Sequence, residues 1–145
     1  MKLKTEHGQE IEFREQDIIT FSEGIFGFPH LKRFVLVREA EIEPFIWLLG
    51  VDEPYCALPV LDPRPTFSDF NPHPDAAPLG RIGLDSFEPA LVLVVVVAPT
   101  DGATVTANLL APIVINPERM IGIQLILSDH RARAKEPLPL AAVAR

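Results

Sequence analysis

Residues 91–116 read LVLVVVVAPTDGATVTANLLAPIVIN, two apolar runs joined at Thr100-Asp101-Gly102. Val92, Val94, Val95, Val96 and Val97 fall within the eight positions 91–98, and β-branched side chains suit a pleated surface far better than a helix. The run predicts a strand buried on both faces. Asp101-Gly102 tolerates positive φ, so the chain can reverse there and lay residues 104–110 antiparallel on the first run. Such a pairing forms the centre of a sheet and carries no catalytic group in its interior.

The flanking sequence extends that sheet in both directions. Residues 2–6 and 10–13 alternate polar with apolar around His7-Gly8, as a hairpin with one wet face does. Residues 18–21 continue as strand until Gly24 and Gly27 interrupt the pattern and predict a shaped loop. Its aromatics, Phe26 and Phe28, are either plugs of the core or exposed anchors for a partner; the burial preference of large aromatics favours the core. Residues 34–37, 44–49 and 57–61 read as a meander of short strands. From 62 to 89 the prolines 63, 65, 72, 74, 78 and 89 withhold amide donors from any ladder. That stretch predicts one long loop crossing an end of the fold, with room for a short helix over 79–87. Asn116-Pro117 turns the chain into a last strand over 122–127.

The expected fold is therefore all-β: a small antiparallel β-barrel or sandwich with one long Pro-rich loop and at most one or two short helices. A chain of 145 residues suffices for one core without disulfides or metals. Residues 1–130 are expected to form that single domain. The tail, 131–145, is expected to be basic and flexible, with a short helix or a partner-docking segment as the alternative.

Charge divides the chain in the same way. Residues 1–130 hold 9 basic and 19 acidic side chains, a net −10, whereas the tail holds 4 basic and 1 acidic, a net +3. An acidic body repels phosphate backbones and attracts basic proteins, so direct nucleic-acid binding is not expected. The longest apolar run, 90–98, is far short of a membrane-spanning helix, and the amino terminus lacks the pattern of a secretory signal. The expected setting is the cytoplasm, with no membrane association. Cys56 is the single cysteine, and His7, His30, His73 and His130 stand far apart, so neither a disulfide nor a metal site is expected, and no cofactor.

No nucleophile elbow, carboxylate pair or phosphate loop is present in the sequence, and no enzymatic activity is expected. The candidates for binding are surface features instead. One is the glycine loop, Glu23, Gly24, Phe26, Gly27 and Phe28. A second is the carboxylate group Glu39, Glu41, Glu43, Asp52 and Glu53, opposed only by Arg38 and expected to form one negative rim, either guarding strand edges or receiving a basic protein. Asn108 and Gln124 are lesser candidates. A buried amide at 108 must find partners, which a strand irregularity or a bound protein would supply. A competing function for a small barrel is to hold a hydrophobic ligand inside, against which the many large aliphatics argue.

Three blocks of this chain resemble a known family. TVTANLLAPIVIN, followed after a gap by Gly122-Ile123-Gln124-Leu125-Ile126-Leu127, is similar to the C-terminal signature of the FliW flagellar assembly factors. Residues 19–28, ITFSEGIFGF, followed by Phe34, resemble that family's "F, x, x, G, hydrophobic, x, G, F" segment, and Pro44-Phe45 with Trp47-Leu48 its "PF, then L" strand. Leu49-Gly50 stands where the family usually carries a polar pair, and His130 where an aromatic commonly follows the last strand; residues 71–90 and those after Arg133 match loosely. The resemblance implies a monomeric β protein that binds the translational regulator CsrA away from its RNA surface and also binds flagellin. Secretion of flagellin would then free the protein to sequester CsrA and relieve repression of flagellin messenger.

Overall fold

The structure is a computed structural model that describes residues 2–4, 10–52, 56–67, 70, 76–97, 104–127 and 134–138. An amino-terminal hairpin pairs β1 (Lys2–Lys4) with β2 (Glu10–Glu12). The main sheet begins with β3 (Ile19–Thr20), β4 (Arg33–Arg38), β5 (Ile46–Gly50), β6 (Ala57–Leu61) and β7 (Leu91–Val97), each antiparallel to the next. It continues through β8 (Thr106–Ala107), β9 (Ile113–Asn116) and β10 (Ile121–Gln124), and ends with β11 (Glu136–Pro137).

Three pairings close the sheet. β9 lies antiparallel on β7, with Val92 opposite Val114, and β10 pairs antiparallel with β9 and parallel with β3 through Ile121 and Thr20. The ring β3-β4-β5-β6-β7-β9-β10 is a seven-stranded barrel. Its interior is filled by Ile19, Phe21, Phe34, Ile46, Leu48, Val60, Leu93, Ile113 and Ile115, all at most 5% exposed. Phe21 and Phe34 meet edge to face with ring centroids 5.5 Å apart, the arrangement that the aromatic quadrupole favours.

The barrel wall is covered outside as well. β1 brings Leu3 over Val35 and Leu49. On the other flank the Pro-rich segment supplies α1 (Pro63–Thr66) and α2 (Ala76–Gly80), and Phe67, Phe70, Leu79 and Ile82 cover Val92, Val94, Val96, Val114 and Ile123. Strand alternation sends Leu93 inward and Val92 and Val94 outward, so both faces of β7 are apolar for separate reasons; Val92, Leu93, Val94 and Val96 are buried, whereas Val97 at the strand's end is exposed, contrary to the expectation for the run. The Pro-rich segment thus lies along the outside of β7, β9 and β10, not across an end as expected: its aromatics need an apolar face, and the outer valines provide one. Each helix is at most five residues long, and α1 begins where Asp62 accepts the Arg64 amide hydrogen bond at 3.0 Å, with Pro63 at its first position.

Asn116 is the buried polar side chain of the described residues and fastens the two layers together. Its Nδ2 donates to the Ile82 carbonyl at 2.8 Å, while Oδ1 accepts from the amides of Glu118 and Arg119 at 3.1 and 3.4 Å. The turn reading of Asn116-Pro117 holds, with the side chain bonding main-chain groups as Asx turns do. The last strand is shorter than expected, Ile121–Gln124, although Leu125 and Leu127 still donate to the carbonyls of Pro112 and Leu110. The turns at His7-Gly8 and Asp101-Gly102 lie outside the described residues. In the tail, Glu136–Pro137 pairs antiparallel with β8, and Leu138 is buried in the outer core. That stretch completes a sheet edge and inserts an aliphatic side chain.

Candidate functional site

The direction of β4 assigns the candidate residues to opposite ends of the barrel. Phe34 pairs with Gly50 and Arg38 with Ile46, so the glycine loop, which leads into β4, and the 39–45 connection, which leaves it, are separated by roughly 17 Å of strand.

At the first end, Ile25 and Phe28 exchange both main-chain hydrogen bonds, at 2.7 and 3.4 Å, around a tight reversal at Phe26-Gly27. Gly27 has φ +89°, at the position where a type II turn calls for glycine. Gly24 is constrained differently: its φ is +68°, and a Cβ there would stand 2.7 Å from Pro29 Cα. The loop thereby drives Ile25 into the barrel core and holds Phe26 outside, 53% exposed, with Phe28 at 37%. The expectation that these two aromatics plug the core is corrected: Ile25 is the plug. A reversal this tight can send only part of its side chains inward, and the smaller aliphatic fills the space beside Phe21 and Phe34.

Gln124 ties this loop to a bulge in the barrel wall. Its Oε1 accepts from the Phe26 amide at 2.8 Å, and its Nε2 donates to the Ala111 carbonyl at 3.0 Å. The bulge arises because Val96 pairs with Ala107 but Leu93 pairs with Ile113, leaving residues 108–112 opposite Val94 and Val95 alone. Asn108 sits at its start, donating its amide to the Val95 carbonyl and accepting the Leu110 amide on Oδ1 at 3.1 Å. Asn108 therefore serves the strand irregularity. Beyond Gln124 the chain alternates, with Leu125 and Leu127 buried and Ile126 68% exposed.

Phe26, Phe28, Ile126 and Val97 are the large hydrophobics exposed among the described residues, and all four belong to segments at this end. Ile126 is not among the candidates read from the sequence, and Val97 is read there as part of a strand buried on both faces, which its exposure corrects. The parity of Gln124 and Ile126 along one strand is the signal for the first; nothing comparable marks Val97 within an apolar run. Glu23 stands beside the loop in an exposed ion pair with Arg81, 3.1 Å long.

The second end carries Glu39, Glu41 and Glu43 around a 3-10 turn at Ala40–Ile42. Glu41 and Glu43 are exposed, as is Arg38, and a surface cleft of about 350 Å³ is lined by Arg38, Glu43, Pro44, Phe45 and Ile46. Asp52 does not join them, so the expected single rim is divided. It lies past the far end of β5, where Arg33 binds it bidentately at 2.7 and 3.0 Å; those hydrogen bonds hold the Asp52 carboxyl below its ordinary range. Glu53 falls outside the described residues, as do His7, His73 and His130. Cys56 is half-buried, and burial pushes its thiol pKa up, away from the reactive range. A second surface cleft, about 550 Å³, lies between Gly83, Leu84 and Pro89 and the 116–119 turn. Among the described residues no group of His, Cys, Asp and Glu converges as a metal site would require, and no helix is long and apolar enough to cross a membrane.

Comparison with known proteins adds to this geometry. The family model described as FliW protein matches residues 2–138. The chain belongs to the FliW family. The FliW match runs through the tail strand and past the boundary expected at residue 130. A flagellar assembly factor FliW from Caldanaerobacter subterraneus is 36% identical over 139 residues, 95% of this chain and 93% of that protein. Another, from a Thermotoga species, is 38% identical over 131 residues, 90% of this chain and 87% of its own length. A crystal structure of the flagellar assembly factor FliW matches with a TM-score of 0.83 at 31% identity, covering 94% of this chain and 96% of that one.

Proposed function

We propose that this flagellar assembly factor works in the cytoplasm as a monomeric, non-enzymatic partner switch that binds CsrA and flagellin. Bound CsrA is withheld from flagellin messenger, and flagellin competes for the same factor or weakens its hold on CsrA. Such coupling is reciprocal: flagellin must lose affinity in the presence of CsrA by the factor that CsrA loses in the presence of flagellin. No direct contact with nucleic acid is needed, in keeping with the acidic body.

The observation that carries this proposal is the exposure of Phe26 and Phe28 on a loop that Gln124 braces, at one end of a barrel whose inside is already full. Exposed aromatics on a loop braced by hydrogen bonds make good interface anchors. The three glutamates at the other end act at longer range, speeding encounter with a basic partner and excluding acidic ones. A ligand held in the barrel finds no support, since aliphatic and aromatic side chains occupy the interior. The test is co-elution of the purified protein with CsrA and with flagellin, separately and then together. Binary complexes with each, and displacement of one by the other, are expected; binding to neither partner would defeat the proposal.

A further inference from the structure

The outer edge of β8 carries an inference that holds whichever polypeptides bind at the barrel ends. β8 pairs on one side with β7, and its other side would be an open strand edge, a template for another chain. In this structure the chain's own tail fills it. Glu136 stands opposite Ala107 and Pro137 opposite Thr106, the Leu138 amide donates to the Val105 carbonyl at 3.0 Å, and the Leu138 side chain is 6% exposed in the outer core.

The position of Pro137 shows how this strand is built. Amide and carbonyl of one residue point to the same side of a strand, and the side alternates along it. Because the Leu138 amide points at β8, that of residue 136 does too, and residue 137 faces away. Proline thus occupies a place where the ladder to β8 loses nothing and the outer edge loses a donor, which blunts that edge against further pairing. The tail strand is two residues long, Glu136–Pro137, and the segment leading into it carries Arg131, Arg133 and Lys135 on a protein whose body is net −10.

We propose that the β8 edge, with the recess filled by Leu138, is a docking site for an extended, basic, aliphatic polypeptide segment of a partner, and that the tail occupies it in cis. The partner segment adds a strand to β8 and seats an aliphatic residue where Leu138 sits. Main-chain bonds supply affinity, and the recess and the outward proline supply register. The tethered tail competes through its high effective concentration, so occupancy by a partner requires its release.

The probe is a fluorescent peptide of residues 131–145, titrated by anisotropy into the full chain and into the full chain carrying Leu138→Asp. Wild type, with its site filled, is expected to bind the peptide at least tenfold more weakly than Leu138→Asp. In that variant the amide of Ala107, which faces β11, should exchange faster with solvent than in wild type and regain protection when peptide is added. A peptide with Glu136→Pro, which turns a proline toward β8, should lose at least tenfold in affinity. Equal peptide binding by both chains, unchanged Ala107 exchange in Leu138→Asp, or full binding of the Glu136→Pro peptide would each overturn the proposal. None of these measurements involves CsrA or flagellin, so their outcome is separate from that of the partner switch.

Discussion

The two ends of the barrel are built on opposite principles. At the glycine-loop end the chain is held by specific short-range bonds: the paired main-chain bonds of Ile25 and Phe28, and the Gln124 amide that joins Phe26 to Ala111. Apolar side chains are left facing water there. At the acidic end a 3-10 turn of three residues, closed by main-chain bonds alone, presents Glu39, Glu41 and Glu43, whose carboxylates form no ion pair among the described residues. Contacts of the first kind set how long a complex lasts, and fields of the second kind set how often partners meet. Changes at the loop end should therefore alter stability and dissociation, and changes at the acidic end association alone.

The largest expected effect is at Gly24. Gly24→Ala combines a positive φ with a Cβ 2.7 Å from Pro29 Cα, and should cost about 2–4 kcal/mol in chemical denaturation. Gly27→Ala, where nothing lies within 4 Å of the added Cβ, should cost only about 1–2 kcal/mol, the price of left-handed backbone in an L-residue. Equal losses at both positions would show that sterics at Pro29 do not shape the loop. Phe26→Ala should leave the denaturation midpoint nearly unchanged while weakening binding to CsrA, flagellin or both by about 2 kcal/mol, as loss of an interface anchor does. Unaltered affinity for both partners would remove the loop from the interface.

Gln124→Leu leaves the Phe26 amide and Ala111 carbonyl without their side-chain partner and should destabilise by about 1–2 kcal/mol. If the loop is pre-organised by this amide, affinity falls as well; a stability loss with unchanged binding would limit Gln124 to a bracing role. The double variant Glu41→Lys/Glu43→Lys should shift stability by less than about 0.5 kcal/mol and slow association at low salt, with dissociation unaffected. An unchanged association rate for both partners would take the acidic end out of recognition.

A small, pH-dependent effect is expected at Asp52, whose carboxyl is held low by Arg33. A depressed folded-state pKa stabilises the fold above the unfolded value of about 3.9 and loses that contribution as pH falls through the folded value. Both partners are nearly half exposed, so Asp52→Asn should cost below about 1 kcal/mol at neutral pH. The difference from wild type should close as the pH falls through the depressed folded-state value; a gap that persists in stronger acid would assign it to packing.

Much of the barrel was legible because its strands announce themselves through side-chain type and alternation. The two-sided burial of Val92 to Val94 could be read from the valine run, although not the exposure of Val97 at its end, and Asn108 could be read as an amide in need of partners, which the strand irregularity supplies. The carboxylates were misplaced for a geometric reason. Sequence proximity from Glu39 to Asp52 includes the whole of β5, and a strand moves the chain from one end of a barrel to the other. The exposure of Phe26 and Phe28 was hidden because the composition of a loop does not say which of its apolar residues turns inward. The tail strand was hidden for a related reason: proline argues against strand pairing, unless its missing donor points outward, and that parity is visible only once Leu138 has a partner.

The parallel contact of Thr20 with Ile121 bears on how a nascent chain behaves at the ribosome. The early barrel strands, β3 to β6, have no seam to close against until β10 has been synthesised. Until then they present an open edge and an uncovered apolar concavity, the condition in which β-rich chains are most prone to misassociate. Productive folding of the barrel is therefore expected to await synthesis of β10, and stalling before residue 121 should yield a chain that chaperones hold rather than one that matures.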